Sequence, residues 1–224
     1  MIPPTSGGIA LAVPGGTMAA MTSRSDSPIS PGMYVPTADH RIVVGEYTWD
    51  TYQAQLVLRG QRRRPKLAYL DGALELMSPS RDHERIKSRI GMVIEAYLAE
   101  SRIPAGPYGE WTLGDESGEA GAEPDECYVF GSDPDAKPRP DLVIEVIWTH
   151  GGLDKLEIYK RLDVPEVWFW KDNTISVHAL GPAGYVVRER SLFVPDLDLE
   201  LVCRLLDLRL VSEVHDAIRE ASRR

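Results

Sequence analysis

The chain is poor in the residues from which several common chemistries are built. Only two of its 224 residues are cysteines, Cys127 and Cys203. Both lie in apolar, strand-like runs with no CxxC spacing and no histidine cluster, which excludes a disulfide framework and a zinc site and leaves buried free thiols as the expectation. Long apolar runs are also missing. Nothing approaches the roughly 18 residues of a membrane-spanning helix, so a soluble, cytoplasmic protein is expected. Basic charge is in deficit, with 25 Lys and Arg against 34 Asp and Glu and a net charge of −9. Bulk electrostatic attraction to nucleic acid is thereby excluded, because phosphate binding is driven by Lys and Arg. Any such contact has to come from a local patch.

What is present suffices for one core, with 43% hydrophobic residues, and is too little for two large domains. Residues 1–38 are rich in Pro, Gly, Ser and Ala and have no positive segment ahead of their weak apolar stretch. They read as a disordered extension and a poor signal peptide, with Met18, Met21 and Met33 leaving a later start open. Residues 39–224 read as a single domain. Its first helix spans Thr48–Leu58, followed by the basic run RGQRRRPK from Arg59 to Lys66. KLAYL and ALELM then flank Asp71-Gly72, a two-residue connection with type I′ hairpin preference.

Ser78-Pro79-Ser80 ends that strand. Beyond it Ile86, Ile90, Val93, Ile94, Tyr97 and Leu98 recur at helical spacing. A Gly- and acid-rich loop leads to the apolar runs ECYVF and DLVIEVI, the short helix LDKLEIYKRL, the strands EVWFW, ISVHAL and YVVRER, and a closing amphipathic helical segment over 197–222. This order specifies an α/β (α+β) domain built on one mixed, curved β-sheet flanked by helices.

Several charges sit in or beside apolar strands, where each needs a partner or a metal. Alternation in DLVIEVI puts Asp141, Val143, Glu145 and Ile147 on one face. Asp125 starts the preceding strand on the face of Cys127 and Val129. If these strands pair, Asp125 and Glu145 can share one divalent cation, and hard oxygen ligands suit Mg²⁺ or Mn²⁺. Asp141 is the rival, but four residues of strand separate it from Glu145 by roughly 13 Å, so capping or ending the strand suits it better. Glu75 in ALELM can supply a third carboxylate. Lys155, opening the next helix, can reach back to orient an attacking water and stabilise charge on phosphate.

Each has a plain alternative: Glu145 paired with a buried Arg, Glu75 on a sheet surface, Lys155 in solvent. His83 reads as a surface residue at a helix N-terminus, and no spacing rule selects His150.

The strings LDGALELMSPSRDHERIKSRIG, EPDECYVF and PDLVIEVIWTHGGLDKLEIYKRLDVPEVWFW resemble, in order and spacing over about residues 40–210, the Uma family of the PD-(D/E)XK nuclease superfamily. The resemblance implies a restriction-endonuclease-like fold and metal-dependent hydrolysis of phosphodiester bonds. It puts the aspartate of the PD motif on Asp125, the second acidic residue on Glu145 and the first-motif acid on Glu75. The superfamily lysine would fall on Ile147, so the role passes to Lys155, as in other Uma-type sequences. Many Uma-type sequences carry a glutamate where this chain has Ala68.

The expectation is an endonuclease that uses Mg²⁺ or Mn²⁺ held by Glu75, Asp125 and Glu145. Its substrate would be nucleic acid, DNA first, guided by Arg62, Arg63, Arg64 and Lys66, with a solvated linker as the other reading of that basic run. A homodimer is left open. Two other functions stay open: a catalytically silent module that binds nucleic acid or protein, and a hydrolase of a small phosphorylated substrate.

Overall fold

The computed structural model describes residues 37–149 and 151–222. Strand β1 (His40–Val44) precedes helix α1 (Trp49–Arg59), which is capped by Thr48, whose hydroxyl accepts from the Thr51 amide at 3.2 Å. Strands β2 (Lys66–Leu70) and β3 (Ala73–Ser78) form the expected hairpin. Its two turn residues, Asp71 and Gly72, both have positive φ, 46° and 82°, as a type I′ turn demands. Helix α2 (Arg81–Glu100) starts at the Ser80 cap. Short strands β4 (Ala105–Pro107), β5 (Leu113–Asp115) and β6 (Ala120–Ala122) lead to β7 (Glu126–Phe130), β8 (Leu142–Val146), α3 (Lys155–Arg161) and β9 (Glu166–Lys171). The chain continues through β10 (Thr174–Gly181), β11 (Gly184–Arg188), α4 (Leu199–Leu205) and α5 (Val211–Ala221). Cys203 therefore lies on a helix rather than in the strand-like run expected; both thiols are free and buried.

The α/β class stands, but among the described residues the strands divide between two sheets where one was expected. One runs β1-β3-β2-β6-β5 and the other β11-β10-β9-β8-β7-β4. The strands β4, β5 and β6 are three residues each, and β6 pairs with β2 while β7, which follows it directly, pairs with β8. The chain changes sheet at Glu123–Asp125. The parallel pair is β8 with β9, bridged by α3, since parallel neighbours need a crossover.

Alternation along β8 then divides the interior. Leu142, Ile144 and Val146 face a core shared with Ile86, Ile90 and Ile94 of α2 and with Val202 and Ile218 of the last two helices. Val143 faces the opposite way, with Cys127, Val167, Ala122, Ile158 and Tyr159. Each fully buried Ile contributes about 2 kcal/mol. Glu145 shares the face of Val143, so the fold directs it into the space between the sheets.

The expected extension lies outside the described residues except at its end. Thr37 is bound to the domain: its amide donates to Asp82 Oδ2 at 3.0 Å, and its carbonyl accepts from Trp148 Nε1 at 2.7 Å. Among the described residues no helix is long and apolar enough to cross a membrane.

Candidate active site

Antiparallel pairing of β7 with β8 sets Glu126 opposite Ile144 and Cys127 opposite Val143. Asp125 immediately precedes β7, and extending that register by one position past the strand end brings it level with Glu145 of β8. Their strands also touch through the side chain, because the Val146 amide donates to Asp125 Oδ2 at 2.8 Å. Asp125 is 1% exposed and Glu145 5%. Asp141 lies at the other end of β8, where it accepts from the Phe130 amide and from Lys137 Nζ, both at 2.7 Å. It ends the strand and takes no part in the site.

Asp125 has two cationic partners. Lys66 Nζ donates to its Oδ1 at 2.6 Å and to the Pro124 carbonyl at 2.8 Å. His83 Nε2 lies 2.9 Å from Oδ2, and its Nδ1 lies 3.1 Å from Asp39 Oδ2. Burial alone would raise the Asp125 pKa, but the Lys66 and His83 charges hold it well below the usual carboxylate range. Burial would likewise discharge His83, yet its bonds to Asp125 and Asp39 push it up to about 9. At neutral pH it is an imidazolium whose two N–H groups donate to two carboxylates. Glu126, beside Asp125, is pushed up by burial to about 7.

Glu145 Oε1 accepts from the buried Tyr159 hydroxyl and lies 3.5 Å from Lys155 Nζ. Tyr159 and Lys155 are four positions apart on α3, so one helical face presents both. The reach from Lys155 back to the β8 carboxylate is the one expected from the sequence.

Glu75 is 2% exposed and does not join these two. Its Oε2 accepts from the Leu153 amide at 2.9 Å, and its Oε1 lies 3.5 Å from Arg41 Nε. Arg41 also donates to the Gly151 carbonyl. Together they hold the loop that leads into Lys155. The expected group of three metal-binding carboxylates is therefore not assembled: among the described residues no three His, Cys, Asp or Glu side chains are arranged to hold an ion. The facing pair Asp125 and Glu145 retains the hard-oxygen chemistry that fits Mg²⁺ or Mn²⁺.

The basic run is largely spent on internal pairs. Arg59 makes a two-pronged bond to Glu123, and Arg64 binds Glu84 and Glu110. Arg62 donates to the Arg59 and Leu58 carbonyls at the end of α1. Arg62 and Arg63 are exposed. Lys66, expected to join them on a nucleic-acid-guiding surface, is instead 4% exposed and belongs to the site, because β2 pairs with β6 just where the chain passes to Asp125.

His83, expected at the surface, is 1% exposed. Asp39, Arg41 and Tyr159 carried no signal that would have selected them, and His150 lies outside the described residues. For His83 a signal existed: it follows the Ser80 cap by three positions, on the α2 face that continues through Ile86 and Ile90 into the core.

The profile of the Uma2 family, described as "Putative restriction endonuclease", matches residues 49–210. The crystal structure of a "putative nuclease belonging to DUF820" from Anabaena variabilis aligns over 72% of this chain and 96% of that one, at 17% identity and a TM-score of 0.44. No curated protein matches the chain at significance. The profile covers well over half of the sequence and takes in Glu75, Asp125, Glu145 and Lys155; the protein belongs to the Uma2 family of nuclease-like, restriction-endonuclease-type proteins.

Proposed function

We propose that this protein is a cytoplasmic endonuclease that hydrolyses phosphodiester bonds of nucleic acid, DNA first, with Mg²⁺ or Mn²⁺ held by Asp125 and Glu145. The observation that carries the reading is the seating of Asp125, just ahead of β7, against the end of β8 that carries Glu145, through the Val146 amide at 2.8 Å, with Lys155 at 3.5 Å from Glu145, in a chain of this family. The ion, when bound, supplies Lewis-acid polarisation and a water of lowered pKa.

The residues of the chain do the rest. Tyr159 fixes one Glu145 oxygen by donating its hydroxyl proton to it. Lys155 keeps its ammonium beside the same carboxylate, where it can orient water and meet negative charge building on phosphate. His83 and Asp39 hold the Asp125 carboxylate in place. Glu75 acts one step removed, fixing through the Leu153 amide the loop that presents Lys155. Exposed Arg62 and Arg63 line a cleft of about 360 Å³ with Tyr108 and Glu110, a surface suited to a phosphate backbone, while the net charge of −9 keeps non-specific attraction weak.

A second reading, a catalytically silent binding module, draws support from the charge balance at Asp125, which Lys66 and His83 already neutralise. Incubating the purified protein with supercoiled, linear and single-stranded DNA and with RNA, with Mn²⁺ or with EDTA, separates the two. Cleavage that requires Mn²⁺ and is lost in Glu145→Gln supports the enzyme; binding without cleavage under every condition supports the module.

A further inference from the structure

The ammonium of Lys66 has no part in the mechanism above, yet it is among the most enclosed charges in the protein. It lies 2.6 Å from Asp125 Oδ1, 2.8 Å from the Pro124 carbonyl and 3.9 Å from Glu110 Oε1. Carboxylate and backbone carbonyl oxygens are the donors a hard divalent ion takes.

The remaining contacts of Asp125 make this placement consequential. Oδ2 already receives the His83 ring at 2.9 Å and the Val146 amide at 2.8 Å. That leaves Oδ1 as the oxygen through which an ion could bind, and Lys66 has it. A divalent cation arriving with Lys66 in place would bring two more positive charges against the ammonium at Oδ1, a strongly unfavourable arrangement in a buried site.

Lys66 has somewhere to go. Glu110 is within 3.9 Å of Nζ and stands nearer the surface, where it also binds Arg64 at 2.8 Å and Lys87 at 3.0 Å. A change in the outer torsions of a flexible four-carbon stem covers such a gap with no movement of β2.

We infer that Lys66 is an internal counter-cation of the site: it occupies the cation position at Asp125 Oδ1, and a divalent ion binds there only as Lys66 is displaced toward Glu110. The inference rests on the reading of Asp125 and Glu145 as the metal pair. It makes the metal-free protein a latent form whose carboxylates are kept neutralised by the chain itself. Metal affinity is thereby set by competition with Lys66 as well as by the ligands.

The test is Mn²⁺ titration of the full-length, EDTA-stripped protein by calorimetry, without nucleic acid. Lys66→Gln and Lys66→Met should each bind Mn²⁺ more tightly than wild type, on the order of ten-fold, by removing the competing charge. Adding Asp125→Asn should abolish that gain, placing the ion at this carboxylate. Glu110→Gln, with Lys66 intact, should weaken Mn²⁺ binding several-fold, because the displaced ammonium loses its alternative partner.

A Lys66→Gln protein that melts cooperatively and binds Mn²⁺ no better than wild type overturns the inference and leaves the metal pair standing. If neither wild type nor Lys66→Gln binds Mn²⁺, the metal-pair reading falls and the inference with it. Should both Lys66 variants fail to fold, Glu110→Gln decides, and an affinity equal to that of wild type overturns the exchange.

Discussion

Lys66 and Asp125 are 59 positions apart in the chain, yet they form a buried ion pair at 2.6 Å between the first strand of the hairpin and the residue just ahead of β7. Removing one member of such a pair leaves the other charged and uncompensated. In metal-free buffer Lys66→Met should cost about 3 kcal/mol, near the low end for broken buried pairs. Adding Asp125→Asn should restore part of that loss, so that the double variant is more stable than the sum of the singles. Urea denaturation of the four proteins measures the coupling. A loss under about 1 kcal/mol for Lys66→Met would mean that His83 alone suffices to hold Asp125.

His83 makes stability depend on pH in a definite direction. Its ordinary pKa is 6.5, and in the fold it is pushed up to about 9 by its carboxylate partners against the opposing effect of burial. The folded state therefore binds the proton more tightly than the unfolded chain. The resulting stabilisation is whole below pH 6.5 and is lost as pH rises through about 9. Urea midpoints measured from pH 6 to 9.5 should fall across that window in wild type. In His83→Gln the fall should be much reduced; an equally steep decline would assign it to another group.

Gly152 lies where Glu75 reaches the loop ahead of Lys155. Its φ is +108°, and a Cβ there would collide with Glu75 Oε2. Gly151→Ala is the internal control, since φ is +99° but nothing lies within 4 Å of the added carbon. Both variants carry backbone strain, of order 1–3 kcal/mol. Only Gly152→Ala should also break the bond between Glu75 and the Leu153 amide. It should be the less stable of the two by thermal melting, and the more impaired in any nuclease assay because Lys155 loses its position. Equal effects would show that Glu75 does not govern the loop.

Lys155 and Glu145 should separate when metal binding and turnover are measured together. If the proposed function holds, Lys155→Ala keeps Mn²⁺ binding and loses turnover by about 100-fold, the scale of one electrostatic contact to the developing charge. Glu145→Gln should lose both. A Lys155→Ala protein cleaving at the wild-type rate would leave the ammonium as no more than the partner of Glu145 seen at 3.5 Å.

Local pattern alone determined much of this protein. Asp71-Gly72 between two apolar runs specified the hairpin, because few residue pairs accept two successive positive φ angles. The alternation of DLVIEVI placed Glu145 on the face of Val143, and the period of α2 placed Ile86, Ile90 and Ile94 on the core. The motif order was sufficient to identify the family, and with it the candidate residues Asp125, Glu145 and Lys155.

Only the tertiary structure decided which charge meets which. Periodicity gives the face of a strand but not what is packed against it, so Lys66 looked like one more residue of a basic run and His83 like a helix-end surface residue. Likewise the carboxylate of Glu75 was legible as half-buried, while its engagement by Arg41 and the Leu153 amide depends on a loop 78 positions further along the chain. The division into two sheets followed from where three-residue strands found partners. Such short elements carry too little pattern of their own, and long-range pairing sets their register. Electrostatic partners at 2.6–3.5 Å are chosen by that packing, and no sequence spacing encodes them.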